Sequence, residues 1–190
     1  MKLRKYDYGL IIDFGNSASI LIAKQSSEMI NIDNYTFVID TNKVLALDND
    51  NSRYVFNPGE YERDNIFIDA TKIGNTNIYY IFEGLKKHKI LLIDSFNTDV
   101  VNNIDEIDDL ADIMIINVDN LEPSDVLRVT EKVSDLQFSL AILFSYVQEV
   151  DLLSDNLRNK LNLEKYDLKT DLYFLAEDAM NQEKTIFLSI

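Results

Sequence analysis

Gly9-Leu10-Ile11-Ile12 and Ser19-Ile20-Leu21-Ile22 open a series of apolar runs three to seven residues long, most of them closed by Gly, Asn, Asp or Pro. Runs so short and so rich in Ile, Val, Phe and Tyr read as strands, because a helix needs roughly ten residues or more to present an apolar face. The series continues through Tyr35 to Ile39 (YTFVI), Lys43 to Leu47 (KVLAL), Tyr54-Val55-Phe56, Ile66-Phe67-Ile68, Asn77 to Phe82 (NIYYIF) and Lys89 to Ile93 (KILLI). Hairpins are predicted across Gly15-Asn16 and across Glu83-Gly84-Leu85-Lys86. The rhythm then changes. A helical turn at Asp105 to Ala111 leads into a buried strand, Asp112 to Val118, and a helix starts at Pro123, a residue tolerated in a first helical turn. Val126, Val129 and Val133 give that helix one apolar face. Phe138 to Phe144 follows as a second buried strand, Leu152 to Leu161 as an amphipathic helix and Thr185 to Ile190 as a terminal strand. Short strands first and strand–helix alternation afterwards predict an α/β (α+β) sandwich of two facing mixed sheets with outer helices. Without a repeat or a Ser/Gly-rich linker, residues 1–190 read as a single domain.

Charge and residue usage narrow the function. Thirty-three acidic against eighteen basic side chains give a formal net charge of -15. Such a surface repels phosphate backbones and anionic lipid, so neither nucleic acid nor membrane is an expected partner. The chain has no cysteine, which removes disulfides, thiolate nucleophiles and iron–sulfur clusters. Asp7 and Asp13 interrupt the start before an apolar stretch of signal-peptide length can form, and no apolar run reaches membrane-spanning length. The expected location is cytoplasmic.

The most distinctive stretch is RYVFNPGEYERDNIFIDA, Arg53 to Ala70, read as a rigid turn between two strand-like runs, with Pro58 fixing φ and Gly59 free to take a positive one. Its core, Pro58-Gly59-Glu60-Tyr61-Glu62 followed by Ile66-Phe67-Ile68, resembles the PGEYE segment of the metallo-β-lactamase superfamily, in its ascorbate-6-phosphate-lactonase-like branch of metal-dependent hydrolases. Other pieces fall in the same order. GNSAS (Gly15 to Ser19) resembles the early GHSSF hairpin, and TFVIDT (Thr36 to Thr41) the TIVTDP strand. NIYYIFEGLKKHKILLIDSF (Asn77 to Phe96) is similar to the hairpin ending in HLGDLGH, DEIDDLADIMIINV to LEELGDVDVLLIPV, and LAILFSY (Leu140 to Tyr146) to the strand ending in IPMHY. The resemblance implies a reduced αββα sandwich over nearly the whole chain.

The same resemblance defines what has changed. Family hydrolases hold one or two metals through an HxHxDH loop, a second His, a bridging Asp and a last His. Here the chain contains one histidine, His88, in a charged hairpin tip, and after KVLAL it runs through Asp48-Asn49-Asp50-Asn51-Ser52 almost directly into the PGEYE segment. Asp94 takes the bridging-carboxylate position, Ser145 that of the last His and Asn16 that of the early His. A hydrolytic zinc site needs about three protein ligands and an open position for water, so Asp94 alone does not hold a divalent metal tightly. The resemblance implies a catalytically inactive relative with no catalytic residue, no cofactor and no metal, in which Asn16, Asp94 and Ser145 are vestigial site positions and Pro58, Gly59, Glu60, Tyr61 and Glu62 form a structural turn.

Other candidates have plainer readings. Glu60 and Glu62 share a strand face and could act as an acid/base pair, but nothing near them in sequence tunes a pKa. Asp48 to Ser52 alternates oxygen ligands like a calcium loop, yet Arg53 stands where that loop requires Gly. Asp105, Asp108, Asp109 and Asp112 read as a solvated acidic face, a Ser145–His88–Asp94 triad has no geometric support, and Tyr79, Tyr80, Phe82, Phe138 and Phe144 read as core. The expected function is a protein-binding or scaffolding subunit, with a protein partner or self-association covering surface that loss of the metal loop exposes. The alternatives are a residual hydrolase with a carboxylate-bound metal and an acidic decoy of a nucleic-acid-binding protein.

Overall fold

The structure is a computed structural model that describes residues 1–15, 18–24, 30–40, 43–45, 51–84, 89–94, 100, 103, 107 and 111–117, with the strands at 140–145, 164–167, 173–174 and 184–189. Among these residues fourteen strands form two sheets. The first contains β1 (Lys2–Tyr6), β2 (Gly9–Gly15), β3 (Ala18–Ala23), β4 (Phe37–Ile39), β5 (Tyr54–Val55) and β13 (Tyr173–Phe174), in the order β13-β1-β2-β3-β4-β5. The second contains β6 (Gly59–Arg63), β7 (Ile66–Ile73), β8 (Thr76–Glu83), β9 (Lys89–Ile93), β10 (Ile113–Asn117), β11 (Leu140–Ser145), β12 (Glu164–Asp167) and β14 (Lys184–Ser189), in the order β12-β14-β11-β10-β9-β8-β7-β6. Both sheets are mixed. Strands β9, β10, β11, β14 and β12 run parallel, whereas β6 to β9 form an antiparallel meander.

One core lies between the sheets. Leu10, Ile12, Ile20, Ile22, Phe37 and Val55 from the first sheet meet Ile66, Ile68, Tyr79, Leu92, Ile115 and Phe144 from the second. The alternate residues Ile11, Leu21 and Val38 face outward into a further cluster with Tyr35, Leu45, Tyr54 and Phe56. The central strands of the first sheet are therefore apolar on both faces, because both faces are covered, even though β2 and β3 run antiparallel. β7 shows the contrasting pattern: Ile66, Ile68 and Ala70 are buried while Phe67, Asp69 and Thr71 are exposed, so its outer face meets water.

Several predicted elements are corrected. Lys43 to Leu45 form no strand, because Lys43 adopts φ +53° and the N–H groups of Val44 and Leu45 point to the Asp40 carboxylate instead of a neighbouring strand. The PGEYE segment is not a turn. Asn57 and Pro58 carry the chain from β5 in one sheet to β6 in the other, Gly59 has φ +152°, and Glu60, Tyr61 and Glu62 lie in β6. The turn is at Asp64-Asn65, both at positive φ (49° and 66°), the conformation of a tight hairpin between β6 and β7. Tyr80 and Phe82 are half-buried on the outer face of β8, outside the core. The helices predicted from Pro123 and at Leu152 to Leu161, and Phe138, lie outside the described residues. Among those described, no helix is long and apolar enough to cross a membrane.

Candidate polar site at the carboxyl edge

In sheets of parallel strands, ligands collect at the carboxyl ends, where loops diverge and side chains are free of the ladder. Here that edge is polar and buried. Asp94 directly follows β9 and is 3% exposed. Ile93 pairs with Ile78 of β8 and with Ile116 of β10, so the next positions beside Asp94 are Asn77 and Asn117. Asn77 is 7% and Asn117 8% exposed. Strand alternation places both on the intersheet face, in step with Tyr79 and Ile81 and with Ile113 and Ile115. A carboxylate flanked by two carboxamides thus spans three strands.

Asn77 also ties the sheets together. Its Nδ2 donates to the Phe56 carbonyl oxygen, just past β5, at 3.4 Å and to the Tyr79 hydroxyl at 3.3 Å. Its Oδ1 is buried with no hydrogen-bond partner among the described residues. Carboxamides do not titrate at physiological pH, so neither Asn77 nor Asn117 supplies acid or base chemistry. Neither was singled out from the sequence: asparagine at a strand end is ordinary turn chemistry, and only the register shows that two of them flank Asp94.

The remaining sequence candidates are scattered. Ser145 ends β11 at the same sheet edge, one residue beyond Phe144, the partner of Asn117. Two strand spacings, about 10 Å, separate the Asp94 and Ser145 strands. Asn16 and His88 lie outside the described residues. His88 precedes Lys89 in sequence, and Lys89 opens β9 at the end opposite Asp94, five residues or about 16 Å away. The triad that would include His88 therefore lies outside the described residues. Asp48 and Asp50, and Asp105, Asp108 and Asp109, are likewise outside the described residues. Asn51 Oδ1 accepts from the Arg53 N–H at 3.0 Å, and Asp112 Oδ2 from the Lys89 N–H at 2.9 Å, which are structural roles.

Glu60 and Glu62 do share an exposed face of β6, away from the polar edge. Between them Tyr61 turns inward, packs edge-on against Phe37 at 6.4 Å between ring centres and donates its hydroxyl hydrogen to the Asn57 carbonyl at 2.8 Å. Burial pushes its phenol above the ordinary tyrosine value. Tyr61 thus anchors the segment that carries the chain from one sheet to the other.

A zinc-hydrolase site needs imidazole or thiolate donors around an open coordination position. Among the described residues the carboxyl edge offers one carboxylate and two amides, the chain has a single histidine and no cysteine, and no described group of three His, Cys, Asp or Glu converges on a point. The donor set does not fit zinc.

No protein-family model and no curated protein matches the chain by sequence. Among solved structures, a candidate Zn-dependent hydrolase of the metallo-β-lactamase superfamily from Thermotoga maritima superposes with a TM-score of 0.58 over 100% of both chains, at 14% identity. The chain has the metallo-β-lactamase fold. Within that fold, the edge where Asp94, Asn77 and Asn117 meet is polar, and its described residues do not form a metal-donor cluster.

Proposed function

We propose that this chain is a catalytically inactive, metal-free protein of the metallo-β-lactamase fold that serves as a protein-binding or scaffolding subunit. The observation that carries the reading is the row Asn77–Asp94–Asn117, which puts carboxamides beside the one carboxylate buried at that edge among the described residues. The Thermotoga maritima relative is described as zinc-dependent, and hydrolysis by such an enzyme requires a metal-bound water of lowered pKa. Amides do not create one. The ascorbate-6-phosphate-lactonase-like branch of the superfamily is the pattern that the PGEYE segment follows. A folded chain that keeps the scaffold without the donors is suited to presenting surfaces.

Metal analysis of purified protein, with melting temperature recorded under chelator and under added zinc or manganese, tests the reading. The expected metal content is below stoichiometric and the melting temperature does not move, since a ligand stabilises only when it binds the native state preferentially. Stoichiometric metal, or a chelator-induced fall in melting temperature abolished by Asp94→Ala, would instead establish a carboxylate-metal hydrolase.

A further inference from the structure

The outer face of β6, β7 and β8 holds a groove of about 330 Å³, lined chiefly by Glu60, Glu62, Phe67, Asp69 and Phe82. The register stacks these side chains in two rows. Glu62 pairs with Phe67 and Phe67 with Phe82, while Glu60 pairs with Asp69. Phe67, 38% exposed, is the large hydrophobic side chain most open to water among the described residues. The carboxylates of Glu60, Glu62 and Asp69 form no ion pair among those residues. Beside the groove, Lys89 Nζ lies 4.6 Å from the Tyr80 ring centre and 5.1 Å from that of Phe82, so this aromatic face already accepts a cation from its own chain. β6 is also the last strand of its sheet, with an edge unpaired among the described residues.

We propose that this face binds an extended segment of a partner protein in which Arg or Lys alternates with apolar residues, added as a further strand along β6. The inference rests on the scaffold reading and gives its partner a chemistry. Side chains of an added strand alternate between two faces. Those on the outer face fall beside Glu60 and Glu62, and long basic side chains there reach Phe67, with apolar stems over its ring and charges between the carboxylates. Those on the other face fall beside the half-buried Tyr61 and extend the intersheet core. A second copy of this chain suits the groove poorly, because each carries a net charge of -15. Nucleic acid is repelled for the same reason.

The test uses the full chain and three labelled peptides of equal length, alternating Arg-Val, Arg-Gly and Glu-Val, with binding followed by fluorescence anisotropy and backbone amide exchange. Arg-Val is expected to bind and to protect amides of residues 59–63, with Arg-Gly about tenfold weaker and Glu-Val silent. Glu60→Gln with Glu62→Gln should weaken Arg-Val about tenfold without changing the melting temperature, since both are exposed, and Phe67→Ser should weaken it as much with a small fall in melting temperature from the lost cross-strand contact with Phe82. Equal binding of Arg-Val and Arg-Gly, unchanged by these variants, would reduce the effect to diffuse attraction and overturn the proposal, as would a concentration-dependent dimer abolished by Phe67→Ser. Metal content is measured on the same preparation. Absent peptide binding in metal-free protein overturns the groove and leaves the scaffold reading standing, whereas stoichiometric zinc overturns the metal-free reading and leaves the groove to be decided by the peptides.

Discussion

Tyr54 donates its phenolic hydrogen to Asp40 Oδ2 across 2.7 Å, joining a strand of the first sheet to the residue that ends its neighbour. Asp40 is fully buried and also accepts the N–H groups of Val44 at 2.9 Å and Leu45 at 2.8 Å. The carboxylate therefore holds Val44 and Leu45, which make no strand pairing among the described residues. Tyr54→Phe removes one of three donors and is expected to cost about 1–3 kcal/mol. Asp40→Ala strands the N–H groups of Val44 and Leu45 and leaves the Tyr54 hydroxyl only the Leu45 carbonyl at 3.2 Å, so it should cost more. Urea denaturation of both variants checks the order; equal stabilities would show that the carboxylate does not organise this segment.

The same outer layer sets an alkaline limit. Burial, and then the hydrogen bond to Asp40, push the Tyr54 phenol well above its ordinary value of 10.0, and burial with the neighbouring Tyr6 pushes Tyr35 up to about 12. For each group the folded chain holds its proton where the unfolded chain has released it. The contribution is complete below the unfolded value and is lost as pH rises from about 10 through the folded value. Melting temperature should fall over that range, and fall less in Tyr35→Phe. Phenolate absorbance should show Tyr35, Tyr54 and Tyr61 titrating late; a single transition of all ten near pH 10 would contradict the assignment.

The sheet pattern was legible because short apolar runs bounded by turn residues leave few alternatives, and both the β2–β3 and β8–β9 hairpins formed where predicted. Strand β1 was not legible: Lys2 and Arg4 flank the buried Leu3, and so basic an alternation looks like a leader. The PGEYE segment misled for a different reason. Pro58-Gly59 does redirect the chain, but between sheets, and a sequence shows a change of direction without showing which sheet the next strand joins. Asp94 was visible through its resemblance to a bridging carboxylate. Its flanking amides were not, since cross-strand neighbours are set by register.

Gly9 marks where packing leaves no room. It pairs with Tyr6 on one side and Ala23 on the other, and a Cβ there would overlap the Ile22 carbonyl oxygen, with the carbonyl carbon 3.0 Å away. The obstacle is backbone in a central strand, which yields less readily than a side chain. Gly9→Ala is expected to cost about 1–3 kcal/mol, the range of overpacked cores. A thermal melt within error of the parent would mean that β2 and β3 separate more easily than this geometry allows.

Asn77 gives the sharpest test of whether the polar edge still has a chemical task. Its two donated bonds, at 3.3 and 3.4 Å, are longer than the usual 2.7–3.2 Å, and its Oδ1 is stranded, a burden of about 1–3 kcal/mol. Asn77→Leu relieves the stranded oxygen while giving up two weak bonds, so stability should change by less than about 1 kcal/mol. Asn77→Asp adds a buried carboxylate beside Asp94, and burial with like charge raises the pKa of one of them above its unfolded value. That variant should be most stable at acid pH and lose stability as pH rises toward neutrality, the sign expected when the folded state binds the extra proton. Urea denaturation of both at pH 5 and pH 7 reads the difference. A Leu variant much less stable than the parent, or an Asp variant insensitive to pH, would show that Asn77 is held by partners the present geometry does not give it.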